Sequence, residues 1–345
     1  MSFYLSIAAV FFLCSFSFYD KNCRIVANPI SFWLFALFLF LLAGFRYGIE
    51  TDYWSYKNIF VLNGEGVEKG FAWLITVVKT YIADDFNVFV FFFALLSVLS
   101  KALFFSKLKN PFLALFLYFS LLYVMAEWNT IRQGFAISFL FFSLKYAHER
   151  KIVPFGILIA LASLLHISSL LFIPMYFICN KRFSVKQIMQ IVFAFLLFKI
   201  IFFDFIVVKL LAFLSQRVGN LFLQRLFIYL RGEKSSLITV GLIRRLFFLV
   251  LFILLHGRNK ISNMYFNAYL VGFFIYIFFM GNSVLSSRLS MSFEAMLIPL
   301  FADLKIKGRW KNMYCLLFVC AISVALFYVS VSGGNAVPYR SYLFL

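Results

Sequence analysis

Long apolar runs follow one another almost without pause, at 3–19, 29–45, 86–105, 111–126, 133–147, 187–203, 236–256, 264–280, 289–304 and 312–331. A helix that crosses a membrane needs about 20 apolar residues, with a range near 17–25. Ten runs of that order leave little chain for anything else. Composition agrees: 64% of the 345 residues are hydrophobic, 52 are Phe, and 13% are charged, against roughly 25% charged in a soluble domain. A compact water-soluble body has too little interior for so much apolar surface. Disorder is excluded for the opposite reason, since disordered chains are apolar-poor. The chain reads as an all-α polytopic membrane protein, with residues 1–345 forming a single transmembrane domain.

Residues 152–178 depart from the pattern. They are apolar throughout, with Pro154 and Pro174 near the ends and His166, Ser168 and Ser169 in the middle. Both flanks are basic, Arg150 and Lys151 before and Lys181, Arg182 and Lys186 after. Short basic loops stay in the cytoplasm. The other basic clusters are Lys21/Arg24, Lys101/Lys107/Lys109, Lys145/Arg150/Lys151, Arg258/Lys260 and Lys305 to Lys311. All of them lie inside only if residues 152–178 enter and return. The expected architecture is about ten full transmembrane helices plus a hairpin of two half-length helices, His166 near its apex, and both termini outside. Residues 68–82 read as an interfacial amphipathic helix, because Lys79 and Asp84–Asp85 oppose burial in lipid. Two amphipathic outer-face loops complete the picture, at about 46–85 and 204–235.

The net charge of +19 is then mostly orientation signal and contact with anionic membrane lipids, and nucleic acid is not expected as a partner. The five cysteines (14, 23, 179, 315 and 320) form no CxxC or Cys/His pattern and read as small hydrophobes. The first run, from Phe3 to Phe18, lacks a basic leader and a small-residue cleavage site, so it reads as a retained span.

Ionisable residues inside or at the lip of a membrane bundle are costly and are functional candidates. On the outer side in this topology fall Arg46, Asp52, Tyr53 and Tyr56, then Glu127 and Arg132, His166, Arg244 and Arg245, Arg288, and Tyr339 with Arg340. Each has an ordinary reading as an interfacial anchor, a packed histidine or an aromatic belt. Their convergence favours an anionic ligand. Fixed guanidiniums suit a pyrophosphate, because Arg binds phosphate oxygens bidentately; Arg46, Arg132, Arg288, Arg244 and Arg245 are the candidates. A His with carboxylates nearby suits deprotonation of a hydroxyl nucleophile, which nominates His166, Asp52 and Glu127 as catalytic groups. Tyr53, Tyr56, Glu68, Tyr339 and Arg340 are candidates for holding sugar. No Walker loop, GxGxxG or DxD-with-Rossmann pattern is present, which argues against a nucleotide-sugar enzyme or an ATP-driven pump.

These residues, in order, resemble the EpsG-type branch of the Wzy O-antigen and exopolysaccharide polymerases. An Arg closes a span before an acidic-aromatic loop, Arg46-Tyr47-Gly48-Ile49-Glu50-Thr51-Asp52-Tyr53-Trp54-Ser55-Tyr56. There follow Glu68-Lys69-Gly70-Phe71, Ile131-Arg132-Gln133, His166-Ile167-Ser168-Ser169-Leu170 running to Pro174, Arg288, and Pro338-Tyr339-Arg340. Residues 180–285 carry the weakest likeness. The resemblance implies a GT-C-like, metal-independent glycosyltransferase of polysaccharide (lipopolysaccharide) biosynthesis in a bacterial inner membrane, with its active site facing the periplasm. It would move a growing glycan from undecaprenyl pyrophosphate to the non-reducing end of another lipid-linked repeat unit. It needs no cofactor, and its partners would be the lipid-linked glycans and a polysaccharide chain-length regulator. An O-antigen ligase shares the donor lipid, but usually carries one long late outer loop. A flippase would line both halves of the membrane with charge, whereas the inner halves of these spans are nearly all apolar.

Overall fold

The computed structural model describes residues 29–50, 52–202, 213, 239–256, 263–304, 321, 324–325 and 339–344. The expected span at 3–19, nearly all of the 312–331 span and of the 204–235 loop, and Cys14, Cys23, Cys315 and Cys320 lie outside the described residues. Among those described, the elements are helical, and the one strand-like feature is an isolated antiparallel bridge between Arg46 and Ser341. The chain packs as two compact units, residues 1–176 with 298–345, and residues 177–297.

The first unit begins with α1 (Pro29–Gly44), followed by two short helices, α2 (Tyr53–Val61) and α3 (Lys69–Tyr81). In α2 the buried residues are Tyr53, Tyr56 and Phe60; in α3 they are Phe71, Ile75 and Val78. Both sets repeat at helical spacing on one face, and Trp54 and Trp73 lie on the exposed sides. The expected amphipathic helix at 68–82 is therefore present, within a residue at each end. Its apolar face docks on α4 (Phe86–Phe105) through edge-on rings, Phe71 against Phe89 and Phe93. Asp85 caps α4, accepting from the N–H groups of Asn87 at 2.6 Å and Val88 at 3.1 Å. At 20 residues, α4 is about 30 Å long, enough to cross a bilayer core.

Helix α5 (Pro111–Tyr118) starts with Pro at its first position and Asn110 accepting from Leu113 N–H at 3.0 Å. It continues as a π-helix over Phe119–Asn129. The extra residue per turn is costly and is found mostly at functional sites. Helix α6 (Ile131–His148) follows at once. Gly134 allows the close return, since any Cβ there would overlap the Ala126 carbonyl. Pro111–Asn129 joins α4 among the helices long and apolar enough to span a membrane, and Val284–Ala302 is the third among the described residues.

Residues 152–178 fold back on themselves. Helix α7 (Ile152–Leu165) breaks at His166, whose backbone is extended (φ −155°, ψ 115°), and a 3-10 turn (Ile167–Phe172) and α8 (Met175–Ile178) follow. The returning end meets the entering end: the Tyr176 hydroxyl donates to the Arg150 carbonyl at 2.9 Å, and Arg150 Nη1 donates to the Tyr176 carbonyl at 2.5 Å. The returning limb is less regular than a half-length helix.

The second unit contains α9 (Val185–Phe202), α10 (Val240–His256), α11 (Asn263–Phe278) and α12 (Ser283–Glu294). Phe195 stacks on Phe274 with ring centres 4.7 Å apart, and Phe198 on Phe278. The buried Asn267 side chain donates to the carbonyls of Ile178, Cys179 and Lys181, so α11 ties down the chain that leaves the hairpin.

One expectation needs correction. Lys101 reads in sequence as part of a cytoplasmic basic loop with Lys107 and Lys109. It instead lies within α4, completely buried. Its ammonium points back one turn to the Ser97 hydroxyl at 2.7 Å and pairs with Glu127 at 2.8 Å. A lysine near a span end usually snorkels to water; here a buried carboxylate captures it first.

Candidate functional site

Three helix ends meet around Glu68: the start of α3, the start of α6 and the break after α7. Glu68 occupies the N-cap position of α3 in an extended conformation, yet its side chain does not cap that helix. One oxygen, Oε2, takes the ion pair from Arg132 Nη1. The other, Oε1, accepts from the Ile167 backbone N–H at 3.1 Å and lies 3.3 Å from His166 Nδ1. Gly70 makes the approach possible, since a Cβ there would lie 2.7 Å from the Leu164 carbonyl oxygen. Burial alone would raise the Glu68 pKa, but His166 and the Arg132 charge outweigh it and hold the carboxyl at about 2. Glu68 is therefore ionised across the working range. In the tautomer that places the hydrogen on Nδ1, toward the carboxylate, Nε2 is the acceptor. The hydroxyls of Ser168 and Ser169, next in the chain, are buried and have no partner among the described residues.

Arg132 is not consumed by Glu68. Its guanidinium lies over the rings of Tyr56 at 5.8 Å and Phe71 at 5.7 Å, and its Nε is buried with no partner among the described residues. Arg46 is the other arginine of this unit among the pyrophosphate candidates. It is 2% exposed, its Nη1 donates to the Ala43 carbonyl at 3.0 Å, and Tyr123, Glu127, Tyr53 and Tyr56 lie within its reach. The C-terminal segment covers it: Tyr47 N–H donates to the Arg340 carbonyl at 2.9 Å, Tyr342 N–H to the Phe45 carbonyl, and the Tyr339 hydroxyl to the Leu42 carbonyl. The turn that follows Arg46 is tight, with Gly48 at φ 60° and Glu50 at φ 69°, a region a non-glycine residue rarely adopts.

Glu127 and Arg132 are neighbours in sequence but not in role. Glu127 turns inward to Lys101, whereas Arg132 faces Glu68. Asp52 opens α2 and is half-buried, and its carbonyl accepts from Tyr56 N–H at 2.9 Å. Tyr53 and Tyr56 are buried; the Tyr53 hydroxyl donates to Asn87 Oδ1 at 3.0 Å, and burial pushes this phenol up to about 12. On that helix the exposed aromatic is Trp54, at 50%. Arg340 is exposed and Tyr339 half-buried.

The second unit has its own cluster. Glu294 takes Arg244 Nη2 at 2.6 Å on one oxygen and Arg245 Nε at 2.6 Å on the other. Arg245 also donates to the Gly241 carbonyl and the Ser290 hydroxyl, and its guanidinium lies 3.6 Å from the centre of the Tyr276 ring. Its donors are nearly all used. Arg244 is the more open of the two, its side chain 24% exposed against 4%. Arg288 stands on the same helix as Glu294, half-buried. The five candidate arginines thus divide between the units, Arg46 and Arg132 in the first and Arg244, Arg245 and Arg288 in the second.

Sequence reasoning missed two residues. Lys101 looked like a loop cation. Glu68 was noted only as a sugar contact, although its spacing before the amphipathic helix was visible. Its partners are 64 and 98 residues away in the chain, and no local pattern announces such a meeting.

In this helical chain, polar groups of the first unit gather where helix ends meet, around Glu68, His166 and Arg132. The chain belongs to the EpsG family, whose model matches residues 29–341, and that family is Wzy-type and polymerase-like. No curated relative and no solved structure matches the chain.

Proposed function

We propose that this protein is an exopolysaccharide or O-antigen polymerase of the bacterial inner membrane, working on the periplasmic side with two undecaprenyl-pyrophosphate-linked glycans. The observation that carries the reading is the Glu68–His166–Arg132 constellation. His166 Nε2 takes the proton from a hydroxyl at the non-reducing end of the acceptor. That oxygen bonds to the anomeric carbon of the donor glycan, and the bond from this carbon to the pyrophosphate oxygen breaks. The electron pair leaves with undecaprenyl pyrophosphate, whose charge Arg132 and Arg46 bind. Such preorganised charge stabilisation is often the largest catalytic contribution, worth roughly 3–4 kcal/mol per donor where measured. Glu68 holds the imidazole in the productive tautomer and stabilises its charged form. The unpartnered Ser168 and Ser169 hydroxyls and the exposed Trp54 suit contacts to sugar. Arg244 and Arg288 are further candidates for anionic lipid, each within the second unit.

The test uses the purified full chain in vesicles with lipid-linked repeat units and no other protein. Polymer ladders are the expected product. Arg132→Gln and Arg46→Gln should each cut elongation at least tenfold, the cost of one charge-assisted hydrogen bond to the leaving group. Intact repeat units after incubation with the wild type would refute the enzyme reading. Normal ladders from both variants would refute the pyrophosphate assignment.

A further inference from the structure

Three ionic side chains are sealed inside the first unit: Arg46, Lys101 and Glu127, none more than 3% exposed. A charge buried without a partner is expensive, and removing one member of a buried pair is worse than never having built it. Glu127 lies on the last turn of the π-helix and reaches Lys101 at 2.8 Å, while Arg46 lies within its field. Two cations share one carboxylate, so the sealed group carries one positive charge in excess. Lys101 has further support, from the Ser97 hydroxyl and the face of the Tyr118 ring. Arg46 has less. Its Nη1 donates to the Ala43 carbonyl, and its Nε is buried with no partner among the described residues. The excess charge and the unused donor fall on the same side chain. The nearby Glu50 also feels the Arg46 charge, but it is only half-buried, so solvent screens that interaction and it stays outside the sealed group.

We propose that Lys101 is a positioning residue that sets the charge of the donor site: by neutralising Glu127, it leaves the Arg46 guanidinium free to bind a pyrophosphate oxygen. The inference rests on the pyrophosphate reading given above. Without Lys101, Glu127 would draw in Arg46 and cancel it, and the sealed group would fall to zero charge. Removing Lys101 and the Glu127 charge together would restore one net positive charge, now on Arg46 alone. A purely structural role also predicts a double variant less damaged than Lys101→Met, but binding then follows the melting temperature, whereas the charge balance weakens binding per folded molecule in Lys101→Met.

The experiment measures binding of undecaprenyl pyrophosphate in mixed vesicles to the purified full chain, with melting temperature recorded alongside. Lys101→Met should weaken binding about tenfold, the worth of one charge-assisted contact. The double variant Lys101→Met/Glu127→Gln should return to within about twofold of wild type, the scatter usual when compensating changes are combined. Adding Arg46→Gln to the double variant should abolish the recovery. A double variant as weak as Lys101→Met, or weaker, overturns the proposal. If Lys101→Met does not fold, the double variant decides alone: wild-type binding that Arg46→Gln then removes supports the charge balance, and lost binding overturns it. Failure of the underlying reading looks different. If the wild type does not bind the lipid, or Arg46→Gln alone binds like wild type, then Arg46 is not the ligand and both ideas fall. If Arg46→Gln weakens binding but the double variant is not rescued, only the role of Lys101 falls.

Discussion

Glu68 in the first unit and Glu294 in the second are each held between two nitrogen bases, and the two clusters differ in how far they are satisfied. Glu68 bridges Arg132 and His166, with all three side chains 17–24% exposed. Glu294 bridges Arg244 and Arg245, with a serine completing the set, and Arg245 is nearly sealed. In the first cluster one partner is a histidine, and the other is an arginine whose Nε has no partner among the described residues. In the second both partners are permanent cations, and the donors of Arg245 are almost exhausted. The same motif leaves polar atoms without a protein partner among the described residues in the first cluster and is nearly saturated in the second. Strength of pairing is therefore a poor guide to function; the unused valence is the better one.

The largest effect that would break this contrast is loss of His166. His166→Ala should lower kcat by roughly 10²–10⁴-fold, the usual contribution of a positioned general base, with little change in melting temperature, as measured by elongation of lipid-linked repeats. Full elongation would place His166 with the packing residues. Next in size is Glu294→Gln, which strands two cations. It should destabilise the second unit by about 3–5 kcal/mol, as broken buried pairs do, and appear as a lower melting temperature with activity per folded molecule retained. A drop in kcat at unchanged stability would make the second cluster catalytic as well.

The pH dependence separates wild type from Glu68→Gln. The Glu68 pKa is depressed from an ordinary value near 4.5 to about 2 in the folded protein. Its stabilising contribution is thus fully present above pH 4.5, shrinks as pH falls below that, and is gone below about 2. The gap in melting temperature between wild type and Glu68→Gln should not narrow from pH 8 to pH 5 and should close as pH is lowered further. A gap that closes between pH 8 and pH 5 would contradict the ionised bridge. The smallest expected effect is Trp54→Ala, a two- to tenfold rise in KM for the acceptor, in line with the worth of one aromatic contact, and no change in stability.

Much of the fold was legible because it rests on patterns the chain states locally. The amphipathic helix at 69–81 shows in the spacing of Phe71, Ile75 and Val78, and the hairpin in the basic flanks of an apolar stretch too long for one loop and of the wrong parity for one span. The presence of His166 at the break was also legible, since a helix interrupted between two prolines must turn somewhere polar. What escaped was partnership. The burial of Lys101 depends on Glu127, 26 residues on, and a lysine five residues from a span end has a simpler local reading. The sequence marked Arg244 and Arg245 as candidates, but their pairing with Glu294 depends on how α10 meets α12. Tyr53 and Tyr56 looked like sugar platforms and are buried on the core face, because the helical period that makes α2 amphipathic turns Trp54 outward instead. Composition and periodicity specify which face is wet; they do not specify which charges meet.

The most direct test of the central claim is a double-mutant cycle between Glu68 and His166, read as kcat for elongation by the purified protein. If Glu68 acts through the imidazole, Glu68→Gln lowers kcat in the wild-type background and does nothing further in His166→Ala. If the two losses multiply instead, Glu68 contributes independently of His166, and the carboxylate-oriented base is the wrong account of this site.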